Sequence, residues 1–199
     1  MKHGNPQGKG LVPSLQAWRD TCPAKAAPRS AHTLLADYCA SSLVLAARFD
    51  FSPVPGNSYH LYHCGYEWRL SLISPEEWGV RRPGVHVARC DLRDDMTWFL
   101  AAAGDLAAYP RVIQALEQHM EGFIDALDSD IPLVDNLPFH VAELPFYRRL
   151  FASALARSLR NTLEQGNLTR ASGRKLLDAS EGSTRLLQLL PSSRCSSET

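Results

Sequence analysis

Tyr59-His60-Leu61-Tyr62-His63-Cys64-Gly65-Tyr66-Glu67-Trp68-Arg69-Leu70-Ser71-Leu72-Ile73 is the stretch that decides the fold of this chain. Strand-favouring aromatic residues recur from Tyr59 to Cys64, and from Trp68 onward Trp68, Leu70 and Leu72 alternate with Arg69 and Ser71. A period of two sends successive side chains to opposite faces of a strand. Gly65-Tyr66 is a connection of the length and type that closes a two-residue hairpin. An antiparallel pair is therefore expected, Tyr59 to Cys64 against Trp68 to Ile73.

Downstream, Ser74-Pro75-Glu76-Glu77-Trp78-Gly79 reads as one capped helical turn. Ser74 is the N-cap, Pro75 occupies the first helical position, and Glu77 completes a Ser-x-x-Glu capping box. Pro83-Gly84 then launches a third strand, Val85 to Leu92, and Arg93-Asp94-Asp95 leads to a fourth, Thr97 to Leu100. Together these predict a small antiparallel β-meander. Upstream, Ser30 caps a helix expected to run to Phe49, with Leu34, Tyr38, Leu45 and Phe49 on one face, until Pro53 and Pro55 exclude its continuation. Beyond Gly104 the period is helical again. Ile113, Leu116, Met120, Phe123, Ile124 and Leu127 form one apolar stripe, and Tyr147, Leu150, Phe151, Ala154, Leu155 and Leu159 form another on a helix from Glu143 to Gln165. Gly166-Asn167 ends that helix, and Thr169 to Leu190 is a third, interrupted candidate.

The fold class predicted is α+β: about four strands packed with an N-terminal helix and followed by two or three C-terminal helices. Its expected organisation is a flexible arm over 1–29, the helix and sheet over 30–104, a helical region over 105–190 and a disordered tail over 191–199. A composition of 45% hydrophobic and 21% charged residues supports a real core. Net charge is zero, which predicts neither nucleic-acid nor membrane binding, but 101–142 carries seven acids against one base and 143–199 nine bases against five acids. The start of the chain lacks an apolar leader and no apolar run approaches the roughly 20 residues of a membrane span. Cys22, Cys39, Cys64, Cys90 and Cys195 form no two-residue metal or redox spacing, so free thiols in the cytoplasm are expected.

Gly56-Asn57-Ser58-Tyr59-His60-Leu61-Tyr62, followed by Leu70-Ser71-Leu72-Ile73-Ser74-Pro75-Glu76-Glu77-Trp78-Gly79, resembles an uncharacterised family, domain of unknown function 2452. Its flanking signatures look similar to Asn5-Pro6, Gly10-Leu11-Val12-Pro13 and Asp94-Asp95-Met96-Thr97-Trp98, so the resemblance runs over roughly residues 5–100. It implies a fold neighbourhood and carries over no activity, ligand or catalytic residue.

Strand alternation assigns Leu61, Trp68, Leu70, Leu72, Val85, Val87, Trp98 and Leu100 to one sheet face and His60, Tyr62, Cys64, Arg69, Ser71, His86 and Cys90 to the other, unless a β-bulge intervenes. On the polar face His60, Tyr62, Arg69, Ser71 and His86 are the ligand-binding candidates: a guanidinium fork, two imidazoles, a phenol and a hydroxyl suit an anion or a peptide. His60 and His63 lie three apart in a strand and so point to opposite faces, which argues against a shared metal. Ser71 with His60 or His86 and an aspartate has the residue types of a nucleophilic triad, but no Gly-x-Ser-x-Gly elbow accompanies it. No phosphate loop or dinucleotide fingerprint is present, and neither a metal nor a cofactor is expected.

Glu117, Glu121, Asp125 and Asp128 form an acidic stripe on the first C-terminal helix, where like charges four apart repel. They are the partner-binding candidates. The basic residues Arg149, Arg157, Arg160, Arg174 and Lys175 offer compensation within the chain or across a homodimer. The expectation is a cytosolic binding or adaptor module with a protein or peptide partner, no nucleic acid and no membrane. The alternative is a small hydrolase or transferase using His60, Arg69, Ser71 and His86.

Overall fold

The computed structural model describes residues 23, 27–136, 144–180, 186, 187 and 189. Most of the expected N-terminal arm, the whole of the expected C-terminal tail, Cys22 and Cys195 lie outside them. Helix α1, Ala31–Ala46, begins at Ser30, whose side chain accepts from the Thr33 amide at 3.2 Å. It ends three residues short of the expected Phe49. The chain there leaves the helix to run beside the sheet: the Arg48 amide donates to the Trp68 carbonyl at 2.7 Å and the Leu70 amide to the Arg48 carbonyl at 3.0 Å.

Three antiparallel pairings among four strands build the class expected from the hairpin. β1 (Ser58–Cys64) and β2 (Glu67–Ser71) are joined by Gly65-Tyr66, with Gly65 at φ +75°, a left-handed conformation that glycine adopts without a Cβ clash. β3 (Val85–Leu92) and β4 (Trp98–Ala102) complete the sheet in the order β2-β1-β3-β4. This order departs from a simple meander, because β3 pairs with β1 and not with β2. The link between β2 and β3 holds a helical turn, α2 (Pro75–Trp78), and a 3-10 turn, Gly79–Arg81, which is long enough to step across β1. Its capping box is complete: the Glu77 amide donates to Ser74 Oγ at 3.3 Å and the Ser74 amide to Glu77 Oε2 at 2.8 Å.

A β-bulge interrupts the β1–β3 register: Leu61 faces Ala88 while Tyr62 faces His86, leaving Val87 as the extra residue. The bulge corrects the face assignment. Cys90, expected on the polar side, is turned into the core with Ala88 and Leu92, and Arg89 and Asp91 take the polar side instead. Leu72, expected in the core, lies past the end of β2 and is 61% exposed.

Three further helices follow: α3 (Pro110–Leu127), α4 (Phe146–Gln165) and α5 (Gly173–Ala179). α5 is shorter at both ends than the candidate Thr169 to Leu190, and Tyr147, expected on the buried stripe of α4, is 38% exposed. Asn167, not Gly166, takes the left-handed conformation after α4, with φ 55°. α1 is sandwiched between the sheet and these helices, so it buries residues on most of its circumference, among them Leu34, Tyr38, Cys39, Ser41, Leu43 and Leu45. Ser41 fits that setting because its hydroxyl donates to the Asp37 carbonyl at 2.6 Å and accepts from the Trp98 amide at 2.9 Å, satisfying an outer amide of β4. At the other end of α1, Arg29 bridges Asp37 at 2.6 Å and also pairs with Asp95, while Arg93 reaches Asp37 at 2.8 Å. No helix among the described residues is long and apolar enough to cross a membrane.

Candidate functional site

The ladder brings all five sheet candidates to one face. His60 lies opposite Ser71, and Tyr62 lies between Arg69 on one side and His86 on the other. His60 Nδ1 and His86 Nε2 are 3.4 Å apart, and the Tyr62 and His86 rings are 5.3 Å apart. The start of the β2–β3 link lies over this same face, where Ile73 meets Tyr62 and Glu76 comes near His60 and His86, while α1 packs against the sheet from the core side. Tyr62 is fully buried and donates its hydroxyl to the Ile73 carbonyl at 2.9 Å. Ser71 spends its oxygen on the Ile73 amide at 3.0 Å. His60 and His86 are half-buried and Arg69 is exposed.

The electrostatics follow from this burial. Burial lowers the pKa of both His60 and His86, and for His86 the neighbouring His60 adds to the effect. Glu76, on α2, partly opposes this in both. Burial pushes the Tyr62 hydroxyl up to about 12. His60, Tyr62 and His86 are thus neutral at neutral pH, beside the exposed Arg69. His63 is on the other face against Trp68, 4.6 Å between rings, so it does not join His60.

On the helical side, α1, α3 and α4 line a cavity of about 430 Å³ that is partly open to solvent. None of the five sheet candidates lines it. Its walls are mostly apolar, from Leu45 and Ala46 on α1, Gly122, Phe123 and Ala126 on α3, and Ala152 on α4. Two polar features interrupt them. Ser42 Oγ lies 2.9 Å from His119 Nε2 and donates to the Cys39 carbonyl at 2.7 Å. Burial lowers the His119 pKa, with the Cys39 carbonyl partly opposing it, so the imidazole is neutral at neutral pH. Arg148, on the first turn of α4, donates Nε–H to the Leu45 carbonyl at 3.0 Å, and burial lowers its pKa.

The acidic stripe stands apart from both. Glu117, Glu121, Asp125 and Asp128 are exposed, and Arg174 pairs with Asp128 at 2.7 Å and with Asp130 at 2.8 Å.

Residues 25–120 match the model of a family described as a protein of unknown function, DUF2452. The resemblance carried by the hairpin therefore covers α1, the whole sheet and the first part of α3. No curated protein and no solved structure matches the chain. The matched segment supplies Ser42, Leu45 and His119 to the cavity, and the rest of the chain supplies Gly122, Phe123 and Arg148.

Sequence reasoning missed the cavity because its polar residues are far apart in the chain: Ser42 and His119 are separated by 77 positions, Leu45 and Arg148 by 103. One signal was available. The apolar stripe of α3 is flanked by Gln118, His119 and Gly122, and a histidine beside a side-chain-free position on a core-facing flank marks a place where packing is incomplete.

Proposed function

We propose that this protein is a non-catalytic binding module of the cytoplasm whose ligand site is the cavity between α1, α3 and α4. The observation that carries the reading is the combination, in one cavity of about 430 Å³, of apolar walls with a few convergent polar groups held on helices. Rigid elements hold Ser42, His119 and Arg148 before any ligand arrives.

The Ser42–His119 pair argues for recognition over hydrolysis. The Ser42 proton is committed to the Cys39 carbonyl, and Ser42 sits near the C-terminal end of α1, where the helix dipole opposes a developing oxyanion. Free Cys39, Cys64 and Cys90 suit the reducing interior of a cell.

Gly122→Phe tests the site. A Cβ at Gly122 meets nothing within 4 Å, so the larger side chain enters open space and fills the cavity. The readout is the fluorescence of an apolar, environment-sensitive dye titrated into the full chain. Saturable binding that Gly122→Phe weakens by about tenfold or more, with an unchanged circular-dichroism spectrum, is the expected result. Equal binding by both proteins overturns the reading.

A protein or peptide partner on α3 is the second reading. It is favoured by Glu117, Glu121 and Asp125, which have no cationic partner among the described residues, whereas Asp128 is held by Arg174.

A further inference from the structure

Among the described residues, Arg148 is the only lysine or arginine lining the cavity, and no acidic residue lines it. Of the five N–H donors of an arginine, Nε–H is spent on the Leu45 carbonyl at 3.0 Å, which orients the fork. The remaining four have no acceptor among the described residues, and no carboxylate forms a salt bridge with Arg148 there. Arg148 also borders an adjoining recess lined by Asp50 and Glu67, but it forms no salt bridge with either, so its planar fork is left to match an incoming carboxylate through two parallel hydrogen bonds.

Resting on the cavity reading, we propose that the ligand is an amphipathic carboxylate, its aliphatic chain in the cavity and its head on Arg148. A monoanion balances one guanidinium. A phosphate dianion calls for further cations or donors, and the other polar side chains lining the cavity, Ser42, Gln118 and His119, are uncharged at neutral pH. The space of about 430 Å³ is partly open to solvent, so a medium-length unbranched chain has room in it and a ten-carbon chain serves as the probe. Ser42 lies three residues from Leu45, about one helical turn or 4.5 Å of rise, so the neutral Ser42–His119 pair is set back from the head site.

The test is calorimetric titration of the full chain with decanoate, decanol and decyl phosphate, for the unaltered protein and for Arg148→Gln, Arg148→Lys and Gly122→Phe. Decanoate is expected to bind at least about tenfold more tightly than decanol. Arg148→Gln should erase that preference by weakening decanoate far more than decanol, Arg148→Lys should keep part of it, and Gly122→Phe should weaken both ligands. Urea unfolding of Arg148→Gln separates loss of the head site from loss of fold, because decanol binding persists only in a folded cavity. Equal binding of decanoate and decanol, both lost in Gly122→Phe, overturns the carboxylate and leaves the cavity reading standing. Tighter binding of decyl phosphate than of decanoate, again dependent on Arg148, overturns the carboxylate in favour of a phosphate head. Absence of binding by all three, or binding that Gly122→Phe leaves intact, overturns both the carboxylate and the cavity reading.

Discussion

Asp95→Ala should be among the most damaging single changes to this fold outside its apolar core. Asp95 lies in the turn between β3 and β4 with its side chain 8% exposed. Its Oδ1 accepts from the Thr97 amide at 3.0 Å and from the Thr97 hydroxyl at 2.7 Å, and its Oδ2 meets Arg29. Hydrogen bonds to a charged group contribute about 1.5–3 kcal/mol each, but three on one carboxylate are not additive. Removing one partner of a buried ion pair costs about 3–5 kcal/mol, because the other charge is left uncompensated. Arg29 is also held by Asp37, so the low end applies and a loss of about 3 kcal/mol is expected. Urea unfolding at neutral pH, with the slope unchanged and the midpoint lowered, measures it. The pH dependence is a second check. Burial raises the Asp95 pKa, but the Thr97 donors and Arg29 outweigh it, and the net shift is downward. The folded state therefore binds its proton less readily than the unfolded state. The stabilisation is fully present above the ordinary aspartate pKa of about 3.9 and is lost as pH falls through the folded value. Asp95→Ala should accordingly flatten the acid limb of the stability curve. A loss below about 1 kcal/mol, or an acid limb unchanged by the substitution, refutes the structural role assigned to this carboxylate.

Gly84→Ala places a Cβ 2.2 Å from the His63 carbonyl oxygen and 2.9 Å from its carbon, so β3 must retreat from β1 at a cost of about 1–3 kcal/mol. Gly104→Ala, where a Cβ meets nothing within 4 Å, should change stability by less than about 0.5 kcal/mol, and equal effects in urea unfolding refute the close-approach argument. His60 and His86 both have depressed folded pKa values, so their neutral forms stabilise the fold above the ordinary histidine value of about 6.5, and that contribution fades as pH falls below it. His86→Gln should reduce the slope of stability against pH as pH falls below about 6.5, and an unchanged slope shows that the pair is not shielded from water.

Local features were the legible ones. The hairpin needs only alternation and a glycine able to take φ +75° at Gly65, and the α2 turn needs only Ser74, Pro75 and Glu77 at capping spacing. Both are decided within a few residues, so the sequence states them directly. Strand order was not legible, because a link of helical turns between Ser71 and Val85 permits β3 to pair on either side of the hairpin. The bulge was not legible either: it is a property of pairing between β1 and β3, and Val87 and Ala88 look like any two small strand residues. One missed residue moved Cys90 into the core and Asp91 out of it.

The same distinction explains why the candidate site shifted from the sheet to the helices. Alternation reveals which side chains share a face, and it collected His60, Tyr62, Arg69, Ser71 and His86 correctly, but it carries no information about what lies above that face. The β2–β3 link is polar and short, and nothing in its own sequence says that it crosses β1. The helical cavity is the reverse case. Its apolar walls were visible as stripes on α3 and α4, yet an unfilled space between helices arises only where small residues meet, here Ala46, Gly122, Ala126 and Ala152 from three elements. The matched family segment ends at residue 120, between His119 and Gly122. A chain with that segment alone would keep Ser42 and His119 but lose the wall beyond Met120 and the one cation at the cavity. The ligand site proposed above therefore spans the junction between the matched segment and the helices that follow it.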